Sequence, residues 1–277
     1  MNGPLAQLVA LTCHGNSFLS GTDIPTFFPS NSTCQFCDYI HFVEFKKSLF
    51  GNTKQTISAD NPNRWLGTIN RNAASGIRLK RISSNDPRLS DRMSAGFIGG
   101  GGQWILEVTY KNALSEFWIS RWEVWNQNAP ERRIWRVDYA VAGTAPDSGP
   151  TQRSTDCVWQ EFKDSLTEIH NFSKEYTEGG FTNCFAQALL AIDSPDTDVG
   201  YHKDLFLDGQ LTPKAKSLIK ASMASWVYGG MGSWNDMGFD GEAQKEYERV
   251  SEKHFTLINE VIAVVASSTH KEQIVSK

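Results

Sequence analysis

Hydrophobic and polar residues alternate along this chain at two periods, two residues in the first half and three to four in the second, and the change falls between Gly143 and Arg153. A period of two puts successive side chains on opposite faces of a strand, whereas steps of three and four line one face of a helix. Gly76 to Ser83 predicts a strand with Ile77 and Leu79 on one face and Arg78 and Lys80 on the other. Gln103 to Tyr110 sets Trp104, Leu106, Val108 and Tyr110 against Gln103, Glu107 and Thr109. In Ser115 to Asn126 both faces are aromatic or apolar, Phe117, Ile119 and Trp125 against Trp118, Trp122 and Val124, the pattern of a central strand covered twice. Arg133 to Val141 turns Trp135, Val137, Tyr139 and Val141 inward and Arg136 and Asp138 outward. Phe36 to Phe45 alternates more loosely, with Cys37, Tyr39, His41, Val43 and Phe45 on one side. Segments 111–114 and 127–130 are hairpin length.

Helical spacing appears at both ends. Pro4 followed by Leu5, Leu8, Val9, Thr12 and Leu19 predicts a first helix that Gly21 stops. After Arg153, one stripe runs through Val158, Phe162, Leu166, Ile169 and Phe172, and a second through Phe185, Ala188, Leu189 and Ile192. Thr212-Pro213 supplies a cap and first position for a third helix carrying Leu218, Ile219, Met223 and Trp226. Tyr247, Val250, His254, Leu257, Val261 and Val264 predict a last helix from about Gly241 to Ser267.

These elements predict an α+β fold: an antiparallel, Trp-rich sheet of four or five strands packed against the N-terminal helix and a four-helix C-terminal half. The sheet region spans 1–142 and the helical region 154–277, joined by a stretch rich in Gly, Pro, Ser and Thr. A sheet apolar on both faces needs covering, so the two regions are expected to share one core. With 277 residues, 40% hydrophobic and 21% charged, the chain has the composition of a globular protein and not of a disordered tail. No apolar run reaches the roughly 20 residues of a membrane helix. The apolar N-terminus lacks a basic leader, the first basic residue being Lys46, and is read as part of the fold of a cytoplasmic protein.

Charge changes this picture locally. The net charge is −4, yet Asn61 to Val137 holds twelve basic residues against six acidic, and Thr151 to Lys277 holds twelve against nineteen. A basic, aromatic sheet beside an acidic helical half points to an anionic partner, a nucleotide, nucleic acid or acidic protein. Arg78, Lys80 and Arg136, on the polar faces of their strands, are the expected contacts, with Trp234 a further ligand contact. Nucleic acid is the weaker option, because most of the tryptophans alternate with apolar residues and so face a core.

Candidate chemistry is sparse. Cys34 and Cys37 have the spacing of a zinc pair, with Cys13, His14 and His41 nearby, but a second clean pair is missing. Five cysteines scattered over the chain predict free thiols, no disulfide and no bound metal. The tract Ile98 to Gly102 precedes a strand and not a helix, so it reads as a turn or bulge and not as a phosphate loop. His170 and His254 lie at or beside helical stripes and read as core residues. Asp193, Asp196, Asp198, Asp204 and Asp208 surround His202 without the order of a calcium loop. The segment from Tyr228 to Asp240 interleaves glycines with Trp234, Met237 and Phe239, as loops that fold over a cavity do.

Two functional expectations follow. The first is a cytoplasmic binding or accessory protein that meets an anionic partner through its basic sheet, with no cofactor. The second is a hydrolase in which His202, Asp204 and Asp236 converge between the two loops, a carboxylate orienting an imidazole as general base.

Overall fold

The first helix, α1 (Gly3–Leu19), begins where the Asn2 side chain accepts the Leu5 N–H at 3.0 Å, with Pro4 in its first turn. Strands β1 (Cys37–Lys47) and β2 (Thr53–Ala59) follow, then helix α2 (Pro62–Arg71), strand β3 (Ala74–Ile82) and a one-turn helix α3 (Asp91–Ser94). Strands β4 (Gln103–Tyr110), β5 (Leu114–Val124) and β6 (Trp135–Pro146) complete the sheet. Four helices close the chain: α4 (Thr155–Tyr176), α5 (Gly180–Asp193), α6 (Pro213–Ala224) and α7 (Gly241–Ser267). The computed structural model describes residues 1–47, 53–84, 86, 88–97, 99–149, 153–177, 179–197 and 202–270; Ile98 and Asp198 of the motifs named above lie outside them. Among the described residues no helix is long and apolar enough to cross a membrane.

The fold is α+β, and it corrects the expected sheet in two respects. Among the described residues there are six strands, in the order β2-β1-β6-β5-β4-β3, and the β1–β6 pair is parallel while the other pairs are antiparallel. The additional strand is β2, whose sequence Thr-Lys-Gln-Thr-Ile-Ser-Ala carries one large apolar residue and so lacks the alternation of a half-buried strand. Strand β6 also runs on to Pro146, into the stretch whose composition reads as a linker, pairing Thr144 with Glu116 and Pro146 with Leu114.

One sheet face is apolar and takes the helices. Ile40, Phe42, Ile77, Leu79, Leu106, Val108, Trp118, Val137 and Tyr139 are buried there, with Trp65 of α2 stacked on Phe42 at 4.3 Å. Helix α1 is buried from Leu5 to Ser17 on every side, and it contacts β3, β4, α2 and α7. Gly15 permits this approach, since a Cβ there would stand 2.4 Å from the Ile77 Cδ1. The polar residues of α1 all find partners. Gln7 donates to Thr33 O and accepts the Tyr139 hydroxyl at 2.9 Å, and Thr12 bonds back to Leu8 O. Helix α7 lies against β3 on one side and α4 and α6 on the other, and the buried side chains of both regions form one continuous cluster.

Two polar devices inside this core set its energetics. The outer edge of β3 is closed by side chains: Asn16 donates to Ile77 O at 2.9 Å and accepts Ile77 N–H at 2.7 Å, while Ser267 Oγ accepts Leu79 N–H at 2.9 Å. The second device is His254, fully buried on α7 between Phe162 and Phe185. The Tyr228 hydroxyl has one proton and lies 3.1 Å from Ser251 O, which only accepts; His254 Nδ1, at 2.8 Å, then donates its N–H to the phenol oxygen. The imidazole is neutral, because burial lowers its pKa from 6.5 to about 3.

Two outcomes are expected. Asn16→Ala leaves a buried N–H and a buried C=O of β3 without partners and should cost roughly 2–4 kcal/mol in urea unfolding, measured with the m-value unchanged. Acid should destabilise through His254: its folded pKa lies below the unfolded value, so the unfolded state binds the proton first, and stability present above about pH 6.5 is lost as pH falls toward 3. His254→Phe, which keeps the ring stack and leaves the Tyr228–Ser251 bond in place, should flatten the melting-temperature profile between those limits. An unchanged profile would show that His254 is not the titrating group.

Candidate binding groove

Of the three residues expected to form a catalytic group, two are brought together. His202, in left-handed backbone at φ 64°, presents Nδ1 to the Ser32 hydroxyl at 2.8 Å. Asp204 accepts the Ser32 backbone N–H at 2.7 Å and also the Ser32 hydroxyl. The carboxylate thus takes the first N–H of the short 3-10 turn Ser32–Cys34, whose cap is Asn31, and His14 Nε2 and the Asn31 amide donate to the Asp204 carbonyl, each at 2.9 Å. In a nucleophilic relay the imidazole takes the serine proton and the carboxylate orients the imidazole. Here the serine proton goes to the carboxylate, and burial holds His202 below its ordinary pKa although Asp204 raises it. Asp236 stands outside the cluster, capping its own turn by accepting Gly232 N–H.

The expected cationic contacts are neutralised within the sheet. Arg78 is buried and lies 2.7 Å from Asp147 and 3.5 Å from Glu107, which also takes Lys80 at 2.8 Å. The Arg78 hydrogen bond holds the Asp147 carboxyl below its usual range. Arg136 pairs with Asp38 at 3.0 Å, and its guanidinium lies over Trp125 at 4.4 Å and Tyr39 at 5.3 Å, with Tyr39 stacked on His41 at 3.8 Å. Trp234 is fully buried, its indole N–H donating to Ser251 Oγ at 2.7 Å among Phe172, Phe181, Phe185 and Tyr247. The thiols of Cys13, Cys34 and Cys37 are free and buried, and burial raises the pKa of each, Cys13 to about 12 and Cys37 to about 11.

A groove of about 670 Å³ lies between β2 and α2. Helix α2 starts at the Asn61 cap, whose side chain accepts Arg64 N–H at 2.9 Å, and buries Trp65, Leu66 and Ile69 against the sheet. Its other stripe, Arg64, Gly67, Thr68 and Arg71, follows helical spacing and lines the groove opposite Ile57, Ser58 and Ala59. Arg64 meets Asp60 at 2.6 Å, an i,i+4 pair exposed on both sides, and Arg71 bonds only Thr68 Oγ1, at 3.1 Å, among the described residues. Such exposed pairs contribute little and are readily exchanged for another anion. These residues carry no catalytic motif. The legible signal was the Asn61-Pro62 cap followed by Trp65, Leu66 and Ile69 at helical spacing, with both arginines opposite.

The neutralised cations should behave as structural groups. Arg78→Leu removes the cation from Asp147 and part of Glu107 and should cost roughly 3 kcal/mol, the low end for breaking a buried pair because Lys80 remains on Glu107 and Gly149 N–H on Asp147. Equilibrium unfolding measures it, and a loss below about 0.5 kcal/mol would show that the pair is not stabilising. Compared with known protein families, curated proteins and solved structures, the chain matches none.

Proposed function

We propose that this is a binding protein that meets an anionic partner, and that the contact is the groove between β2 and α2. The observation that carries this is the pair Arg64 and Arg71 on one solvent-facing stripe beside an open groove, while Arg78, Lys80 and Arg136 are held by carboxylates of the sheet. Binding is favoured over hydrolysis because the Ser32 proton is directed to Asp204 and Asp236 caps its own turn. A cytoplasmic location belongs to the same proposal, supported by five cysteines that are all free.

Fluorescence anisotropy with labelled poly-glutamate tests the proposal. Binding should weaken steeply as salt rises from about 50 to about 200 mM, because each guanidinium contact with the polyanion is screened. Arg64→Glu with Arg71→Glu should weaken it at least tenfold with an unchanged melting temperature, since exposed charges contribute little to folding. Arg88→Glu with Arg121→Glu is the control, reversing side chains that are 89% and 73% exposed elsewhere. Loss of binding in the control to the same degree, or no salt-sensitive binding in the native protein, would overturn the proposal.

A further inference from the structure

The two edges of the sheet are treated differently. At β3 the outer backbone groups of Ile77 and Leu79 are taken by Asn16 and Ser267, which blocks a further strand at the middle of that edge. At β2, the opposite edge, no strand pairs with the outer side among the described residues. An edge strand left with free N–H and C=O groups is a template for another chain, and folded proteins normally blunt or cover such edges. Three residues of β2, Ile57, Ser58 and Ala59, line the groove.

The far wall of that groove contains a helix-weakening residue with no internal reason to be there. Gly67 sits in the middle of the ten-residue α2, where glycine is a poor helix former. Its backbone needs no left-handed conformation, and a Cβ built on it would meet only the Arg71 Nη1, at 3.6 Å. A methyl group there would be accepted by the protein itself. Without a side chain, Gly67 leaves its part of the groove clear, and Ile57, which is 56% exposed on β2, lines the same groove.

Charge names the occupant. Arg64 and Arg71 are seven residues apart, or about 10.5 Å along the helix axis. An extended chain advances about 3.3 Å per residue, so acidic side chains two to four residues apart on one face come within reach of both guanidinium groups. Asp60, which also lines the groove, is held by Arg64, and among the described residues Arg71 has no ion pair. We infer that the partner is an acidic polypeptide in extended conformation that adds to β2 as a seventh strand, its carboxylates on Arg64 and Arg71 and an apolar side chain on Ile57. This rests on the anion-binding reading above and specifies its partner and mode: backbone hydrogen bonds supply affinity, and the side-chain contacts supply selection.

The test uses the full-length protein and a decapeptide of alternating glutamate and valine. The peptide should bind with salt-sensitive affinity, and hydrogen exchange should slow at the amides of residues 55–59. A peptide of the same sequence, N-methylated at alternate residues so that one edge cannot donate, should bind at least tenfold more weakly although its charge is unchanged. Gly67→Leu should abolish peptide binding, whereas Gly67→Ala should keep it and raise the melting temperature. If the N-methylated peptide binds equally, or inorganic polyphosphate protects and competes as well as the peptide does, the site is an anion site without strand addition and this inference falls while the binding reading stands. If no polyanion binds, both fall. If sedimentation gives a dimer that Gly67→Leu dissociates, the groove belongs to a second copy of the chain and the inference is overturned.

Discussion

A β-sheet cannot end without leaving a row of unpaired backbone groups, and the way this chain ends its sheet organises everything else. At β3 the solution is covalently remote. Asn16 from the first helix and Ser267 from the last stand in for a seventh strand, with the Asn16 amide also donating to Thr269 at 2.9 Å. Those contacts fix α1 and α7 against the sheet from opposite ends of the chain. Because α7 then packs on α4 and α6, the helical half is anchored through the same seam.

Hydrogen bonds explain how the polar residues of α1 can be buried on all sides. Gln7, Thr12 and Asn16 each bond to a named partner, and His14 bonds through Nε2 alone. His254 is likewise satisfied on one nitrogen only, and its neutrality is enforced by burial among aromatic rings. The helical core is therefore sensitive to acid at a fully buried point.

The basic character of the sheet does not become a basic surface. Arg78 stands directly across from Glu107, Arg81 reaches Asp91 at 2.6 Å, Arg92 reaches Glu252 at 3.2 Å, and Arg136 is held by Asp38 between two aromatic rings. Cross-strand and loop partners neutralise most of the local excess before a ligand could feel it. The two arginines of α2 differ in exposure: Arg64 has only the solvent-facing Asp60, and Arg71 has no ion pair among the described residues. The sheet edge and these two exposed cations meet in one place, which is why the groove carries the functional reading.

The sequence by itself determined the first helix, the four C-terminal helices and the well-alternating strands, but not α2, whose short buried stripe of Trp65, Leu66 and Ile69 spans only ten residues. Tyr247, Val250, Leu257 and Val261 mark the buried face of α7, Thr212-Pro213 opens α6, and the inward set Trp135, Val137, Tyr139 is the core-facing side of β6, because burial of one face leaves a period in the chain. It did not reveal β2, an edge strand whose polar residues have no second face to bury, nor the parallel β1–β6 pair, which joins segments about a hundred residues apart. Site residues were less legible still. Which carboxylate meets Arg78 depends on strand register, and the meeting of Ser32 with His202 and Asp204 depends on how the chain returns over α1. Local pattern records which side of an element is dry; only the packed structure decides which charges are answered and which edge is left open.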